Sequence, residues 1–249
     1  MFRWFLVEKM KVSLFVSCLV DQLFPQVGLS TVRVLEKLGV EVSFDERQTC
    51  CGQPAFNTGY VEEAKRVARH FVAAYSDSVP IVVPSGSCCT MIKVFLPQLF
   101  PKGSTERDSA DRIAQQTFEL SEFLVSVLGI RSTGASFCRT VTYHDSCHLL
   151  RELGISQAPR DLIRGVSDID FREMGNAQQC CGFGGTFSVK FPDVSSAIGD
   201  DKVQAIRETG AEYVVANDVS CLMHINGLLN RHHVPIQTMH LAELLAKFE

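Results

Sequence analysis

Between Lys11 and Ser17 the chain reads KVSLFVS, where polar and apolar residues alternate with the period of a strand. Thr140 to His144 (TVTYH) carries a similar pattern, and the short apolar runs Ile81 to Pro84 and Tyr213 to Ala216 (YVVA) predict buried strands. Helical periodicity runs over Gln26 to Leu38, closed by Gly39, over Val61 to Tyr75, and over Asp193 to Thr209, closed by Gly210. Two alike segments, Leu120-Ser121-Glu122-Phe123-Leu124 and Leu241-Ala242-Glu243-Leu244-Leu245, predict short helices near the two ends of this series. Strands alternating with helices predict an α/β fold with mostly parallel sheets and helices outside them.

The pattern occurs twice, and the cysteines mark it. Cys18 is followed after 31 residues by Cys50-Cys51-Gly52, and 36 residues separate Cys51 from Cys88. Cys147 is followed after 32 residues by Cys180-Cys181-Gly182, and 39 residues separate Cys181 from Cys221. Each half thus reads strand, Cys, helix, strand, Cys-Cys, helix, strand, Cys, helix. The expectation is two duplicated βαβ-type halves, 1–130 and 131–249, related by a pseudo-twofold axis across a large apolar interface. The region 97–117 has no counterpart of equal length. Its composition predicts an inserted loop over 101–109 and a helix from about Ala110.

Composition narrows the function. Of the 249 residues 46% are apolar and 21% charged, which predicts a packed core. The net charge is −4 and no basic stripe is present, so nucleic acid is not an expected partner. No apolar stretch has the length of a membrane span. The apolar run Met1 to Val7 is closed by Glu8, Lys9 and Lys11 and lacks a cleavage site; it reads as an extension, 1–10, with Met10 opening the fold proper. A cytoplasmic protein keeps its thiols reduced, so ten cysteines point to metal or redox chemistry rather than to disulfides.

Loops leaving the carboxyl ends of parallel strands gather on one edge of a sheet. The cysteines follow predicted strands, so Cys18, Cys50, Cys51 and Cys88 should converge, as should Cys147, Cys180, Cys181 and Cys221. Four thiolates hold a cubane 4Fe–4S cluster. They also suit tetrahedral zinc, although structural zinc sites favour short Cys-x-x-Cys knuckles and neither half has one. A zinc-binding structural or assembly module is therefore the alternative, and a thiol–disulfide enzyme is a weaker third. Gly52 and Gly182 allow a tight turn after each cysteine pair, and Gly184-Gly185 allow backbone to approach a cofactor. Cys89 reads as core filler and Cys138 as structural.

The segments Gln48-Thr49-Cys50-Cys51-Gly52-Gln53-Pro54-Ala55, Pro84-Ser85-Gly86-Ser87-Cys88, His144-Asp145-Ser146-Cys147-His148 and Cys180-Cys181-Gly182-Phe183-Gly184-Gly185-Thr186-Phe187-Ser188 resemble the lactate-utilization protein A family. That family belongs to the cysteine-rich CCG-domain proteins, together with the cysteine-rich component of heterodisulfide reductase and the iron–sulfur component of glycolate oxidase. The resemblance runs from about Lys11 to Lys247. It implies an iron–sulfur electron-transfer component in the oxidation of L-lactate, a small 2-hydroxy acid, to pyruvate, acting with a ferredoxin-like iron–sulfur subunit and a third subunit. One departure stands out. Heterodisulfide-reductase relatives end each half in Cys-x-x-Cys and hold a non-cubane cluster with five cysteines. Here Ser85 and Asp218 occupy the first of those positions, which leaves four cysteines per half and allows two cubane sites, or one cluster beside a degenerate site.

His144 and His148 flank Cys147, and either can ligate a cluster or move a proton during hydroxy-acid oxidation. The plainer reading is a strand-end histidine satisfied by backbone and a surface histidine. Arg151 offers a bidentate clamp for a carboxylate, or is an ordinary surface arginine. His224, His232, His233 and His240 lack metal spacing, with His232-His233 expected in solvent. Gly182-Phe183-Gly184-Gly185 is followed by no Lys-Ser/Thr, so nucleotide binding is not supported.

Overall fold

The protein is described by a computed structural model covering residues 10–75 and 79–248. The run Met1 to Val7, and with it nearly all of the expected extension 1–10, lies outside the described residues.

The first half contains β1 (Lys11–Leu14), α1 (Cys18–Leu23), α2 (Pro25–Lys37), β2 (Glu41–Phe44), α3 (Gln53–Asn57) and α4 (Val61–Ala74). It continues with β3 (Ile81–Val83), α5 (Gly86–Thr90), a π-helical turn, α6 (Leu96–Gln98), α7 (Thr105–Gln116), β4 (Thr117–Glu119) and α8 (Leu120–Glu122). The second half contains β5 (Thr140–Tyr143), α9 (Cys147–Arg151), α10 (Gln157–Arg164), β6 (Asp170–Phe171), α11 (Thr186–Lys190) and α12 (Pro192–Glu208). Then come β7 (Tyr213–Ala216), α13 (Val219–Arg231), β8 (Gln237–His240) and α14 (Leu241–Leu245).

Among the described residues these strands form two four-stranded, fully parallel sheets, ordered β2-β1-β3-β4 and β6-β5-β7-β8. Two strands were not expected. β4 and β8 are short and lead directly into the closing helices, so neither leaves a clear alternation in the sequence. The expected loop 101–109 is also shorter than predicted. α7 opens at Thr105, because the Ser104 side chain accepts a hydrogen bond from the Arg107 amide at 3.1 Å and Glu106 and Asp108 lie in the first turn.

The sheets are covered on both faces, as parallel sheets require. In β3, Val82 faces one way into a central core while Ile81 and Val83 face the other way. That central core is continuous across the molecule: Val12, Leu35, Val82 and Phe123 of the first half meet Val141, Tyr143, Leu162 and Leu241 of the second. Each half adds an outer core, around Phe15, Phe71 and Met91 in the first and around Val203, Ile206 and Ile225 in the second.

The contacts between halves are reciprocal. α2 packs on α14 while α10 packs on α8; α5 packs on α9 while α1 packs on α13. Equivalent elements exchanging partners in this way is the mark of a twofold axis, and the two halves are pseudo-twofold related. Buried polar groups cross the seam as well. Asn217 donates to Glu119 Oε1 at 2.8 Å and accepts from the Tyr143 hydroxyl at 3.0 Å. Burial pushes the Glu119 carboxyl up to about 7, against the pull of its Ser121 and Asn217 donors. No helix among the described residues is long and apolar enough to cross a membrane.

Candidate metal centre

The parallel strands deliver all eight repeat cysteines to one edge. Cys18 and Cys147 open α1 and α9 just after β1 and β5, and Cys88 and Cys221 lie in α5 and α13 just after β3 and β7. The pairs Cys50-Cys51 and Cys180-Cys181 sit in loops that turn through Gly52 and Gly182, both at φ 91°. That left-handed conformation suits glycine, and it aims each glycine amide back at a sulfur. Gly52 N–H donates to Cys50 Sγ at 3.4 Å, and Gly182 N–H donates to Cys180 Sγ at 3.3 Å.

Within the first set, Cys18 Sγ lies 3.8 Å from Cys50 Sγ, and Cys51 Sγ lies 3.4 Å from Cys88 Sγ. In the second set the free Cys147 thiol is hydrogen-bonded to Cys180, and the free Cys181 thiol to Cys180 and Cys221. In both sets the middle sulfur is the acidic one. Hydrogen bonds from Cys18 and Cys51, then the Gly52 amide, bring Cys50 down to about 3. Cys147, Cys181 and the Gly182 amide bring Cys180 down to about 2. Their neighbours Cys18, Cys51, Cys147 and Cys181 are pushed up, first by donating to that thiolate and then by burial.

The two sets face each other across a single cavity of about 380 Å³ between the halves, to which all eight cysteines contribute. His148, Phe183, Gly184 and Gly185 line it too. The two positions that depart from Cys-x-x-Cys meet beside it, with Asp218 in its lining. Asp218 accepts from Ser85 Oγ at 2.7 Å, from Ser87 Oγ at 2.7 Å and from Ser87 N–H at 2.9 Å, tying the halves together. Gly86 permits this approach, since a Cβ there would stand 2.6 Å from Leu149 Cβ.

Several expectations change here. His144 is not satisfied by backbone. It is fully buried, and neither ring nitrogen has a hydrogen-bond partner among the described residues. A ring nitrogen, Cys181 Sγ and Cys221 Sγ all lie within 4.8 Å of one another. Burial, then the Lys202 ammonium, hold the ring neutral down to about 3. His148 is not a surface residue: it is half-buried, and its Nδ1 lies 2.8 Å from Gln53 Nε2 of the other half. Arg151 is exposed in the last turn of α9, as in its surface reading, and is not among the residues lining the cavity. Cys138 is exposed in the loop before β5 rather than structural, whereas Cys89 is buried in the outer core. His224 Nε2 lies 3.5 Å from Ser195 Oγ, His240 Nδ1 caps α14 by accepting from Ala242 N–H, and exposed His232 pairs with Asp200 at 2.7 Å.

Lys202 was hidden inside a helical pattern. Its ammonium is buried and donates to Asn176 O at 2.8 Å and Ala177 O at 3.2 Å, and burial lowers it to about 8. Laying β5 on β1 sets His144 on Phe15, each three residues before a cysteine, and laying α12 on α4 by their first residues sets Lys202 on Phe71.

The cysteine-rich domain family CCG matches residues 12–93 and 141–226. Lactate utilization protein A of Bacillus pumilus (strain SAFR-032) is 48% identical over 236 residues, covering 95% of this chain and 99% of that protein. Lactate utilization protein A of Bacillus subtilis (strain 168) is 46% identical over 236 residues, with 95% and 99% covered. A hypothetical protein from Helicobacter pylori, solved by crystallography, matches with a TM-score of 0.59 at 14% identity; the match covers 96% of this chain and 49% of that one, and it speaks to the fold alone. With its CCG domain matched twice and relatives this similar over nearly their whole length, the chain belongs to the lactate utilization protein A family.

Proposed function

We propose that this chain is the iron–sulfur electron-transfer component of a cytoplasmic complex that oxidises L-lactate to pyruvate. The observation that carries the reading is the convergence of two sets of four thiol sulfurs on one cavity. In this reading each half, 1–130 and 131–249, holds one 4Fe–4S cluster, through Cys18, Cys50, Cys51 and Cys88 and through Cys147, Cys180, Cys181 and Cys221. The donor set fits such a group: it is all thiol, and in each set a glycine amide points at one sulfur, Cys50 or Cys180, whose pKa its hydrogen bonds lower. When bound, a cluster supplies one-electron storage. The chain's own residues hold the thiolates, donate backbone N–H groups to sulfur and wall the cavity with apolar side chains. Oxidising a 2-hydroxy acid releases two electrons and two protons, and His148 is the cavity residue suited to moving a proton. The partners are a ferredoxin-like iron–sulfur subunit and a third subunit, with which the chain acts as an oxidoreductase component.

One observation favours a second reading, a zinc-binding structural or assembly module. Sulfurs around tetrahedral zinc stand about 3.8 Å apart, given Zn–S bonds of about 2.3 Å, and the 3.4 and 3.8 Å separations here are close to that. A cubane requires the sulfurs to open further into the cavity. Metal and sulfide analysis with EPR after anaerobic purification separates the two. The iron–sulfur reading expects a brown protein containing iron and sulfide, with Cys51→Ser and Cys181→Ser each losing about half of the iron and abolishing lactate-dependent electron flow in the reconstituted complex. Stoichiometric zinc without sulfide, or iron unchanged in both variants, overturns it.

A further inference from the structure

We propose that His144 is a ligand of the C-terminal cluster site, so that this site carries a nitrogen donor beside its thiolates while the N-terminal site carries thiolates alone. The inference rests on the iron–sulfur reading and deepens it.

The argument begins with satisfaction of polar atoms. A buried imidazole in a native protein almost always finds a hydrogen-bond partner. His144 is fully buried at the end of β5, and both of its ring nitrogens are without one among the described residues. The charged groups near it, Asp145 and Lys202, are engaged elsewhere. Asp145 takes both guanidinium nitrogens of Arg160, at 2.8 and 2.7 Å. The Lys202 ammonium donates to Asn176 O and Ala177 O. Sulfur is within reach: a ring nitrogen lies within 4.8 Å of both Cys181 Sγ and Cys221 Sγ. A neutral imidazole offers one lone pair, the form in which histidine ligates metals.

The scaffold does not require a histidine there. The equivalent residue in the first half is Phe15, packed edge-on against Phe71 at 5.1 Å, in the same backbone setting and beside an equivalent set of cysteines. His144 is therefore a chemical difference laid on a common frame. With it the second site offers five donors for the four irons of a cubane, so His144 would take the place of one of its thiolates, whereas the first site offers four.

A neutral imidazole in place of anionic thiolate raises the potential of an iron–sulfur centre. Lys202 acts in the same direction. Its positive charge stands behind Cys180 and Cys181, where the first half has the uncharged ring of Phe71, and favours the more negative reduced state. The C-terminal site is then the more easily reduced. With a cluster bound in each half, these residues would make the C-terminal site the electron acceptor and the N-terminal site the donor.

The test uses the full chain reconstituted anaerobically with iron and sulfide, unlabelled and with ¹⁵N-histidine, reduced stepwise with dithionite and followed by pulsed EPR. The first signal to appear should carry a strong nitrogen coupling that changes with the isotope. The coupling should persist in Cys51→Ser and vanish in His144→Phe, which copies Phe15. His144→Cys guards against a folding failure in the phenylalanine variant. It should keep its iron, lose the nitrogen coupling and lower the potential of the C-terminal site. Iron and sulfide bound with only weak nitrogen coupling, or with the same coupling in His144→Cys, overturns this inference and leaves the iron–sulfur reading standing. No iron or sulfide in the wild-type chain overturns both.

Discussion

Behind the sulfurs of the first half lies an aromatic wall, Phe15, Phe71 and Tyr75, with ring centroids 4.6 to 6.0 Å apart. Behind those of the second half, at the positions equivalent to Phe15 and Phe71, lie His144 and Lys202, equally buried. The strands, the Cys-Cys-Gly turns at φ 91° and the pattern of two buried and two half-buried sulfurs are the same in both. The difference shows that two properties of the site are set by separate layers. Strand ends and left-handed glycines fix where the sulfurs stand. The residues one layer behind fix the charge and the donors those sulfurs share their space with.

Acid should break the equivalence most. In the metal-free protein His144 keeps its neutral form down to about 3, whereas an unfolded histidine takes up a proton near its ordinary value. Between those two values the unfolded chain binds a proton that the folded chain refuses, so stability present at neutral pH is lost as the pH falls through this window. The loss is at most about 5 kcal/mol. Urea unfolding at pH 7 and pH 4 should show a steeper acid loss in the wild type than in His144→Phe; equal losses would mean that His144 is not held as a buried neutral base.

The glycine turns give the next largest difference. Gly52→Ala should cost about 1–2 kcal/mol for a non-glycine residue in the left-handed region, since its Cβ would meet nothing closer than Val67 at 3.4 Å. Gly182→Ala would drive a Cβ to 2.4 Å from Ser195 O and should cost a further 1–3 kcal/mol, roughly, for overpacking. Denaturant midpoints compare the two, and similar values would show that α12 gives way more easily than its close packing implies.

At the seam, Asp218→Ala leaves Ser85 Oγ, Ser87 Oγ and Ser87 N–H without their acceptor and should cost about 2–3 kcal/mol. Ser85→Ala removes one donor and a cap on Cys88 N–H and should cost about 1 kcal/mol. The smallest effects should be the most alike. Glu119 and His240 head equivalent capping boxes completed by Glu122 and Glu243. Glu122→Ala and Glu243→Ala should each cost about 0.5–1 kcal/mol. Thermal unfolding showing a much larger cost on one side would mean that the closing helices are not equivalent.

The α/β class and the duplication were legible because β1, β3, β5 and β7 each bring an apolar run followed within a few residues by a cysteine. The same regularity made the eight cysteines readable as two sets. β4 and β8 escaped because Thr117-Phe118-Glu119 and Gln237 to His240 are short strands feeding directly into helices, with no alternation of their own. Local sequence cannot report which loops face one another, so the sharing of one cavity and the Ser85–Asp218 bond, 133 residues apart in the chain, were out of reach. The same holds for His144, Lys202 and Arg151. Whether a polar side chain finds a partner, or leaves the cavity altogether, depends on tertiary neighbours that spacing does not encode.

The continuous central core has the form of a dimer interface held within one chain: reciprocal packing of α2 on α14 and of α10 on α8 is the arrangement two identical chains adopt when they associate about a twofold axis. Within one chain the two copies have no obligation to be identical. A homodimer with a histidine behind one set of sulfurs must carry it behind both, whereas the joined chain holds His144 and Lys202 on one side and Phe15 and Phe71 on the other. A chemical difference between two like sets of sulfurs is something a symmetric homodimer has no means to encode.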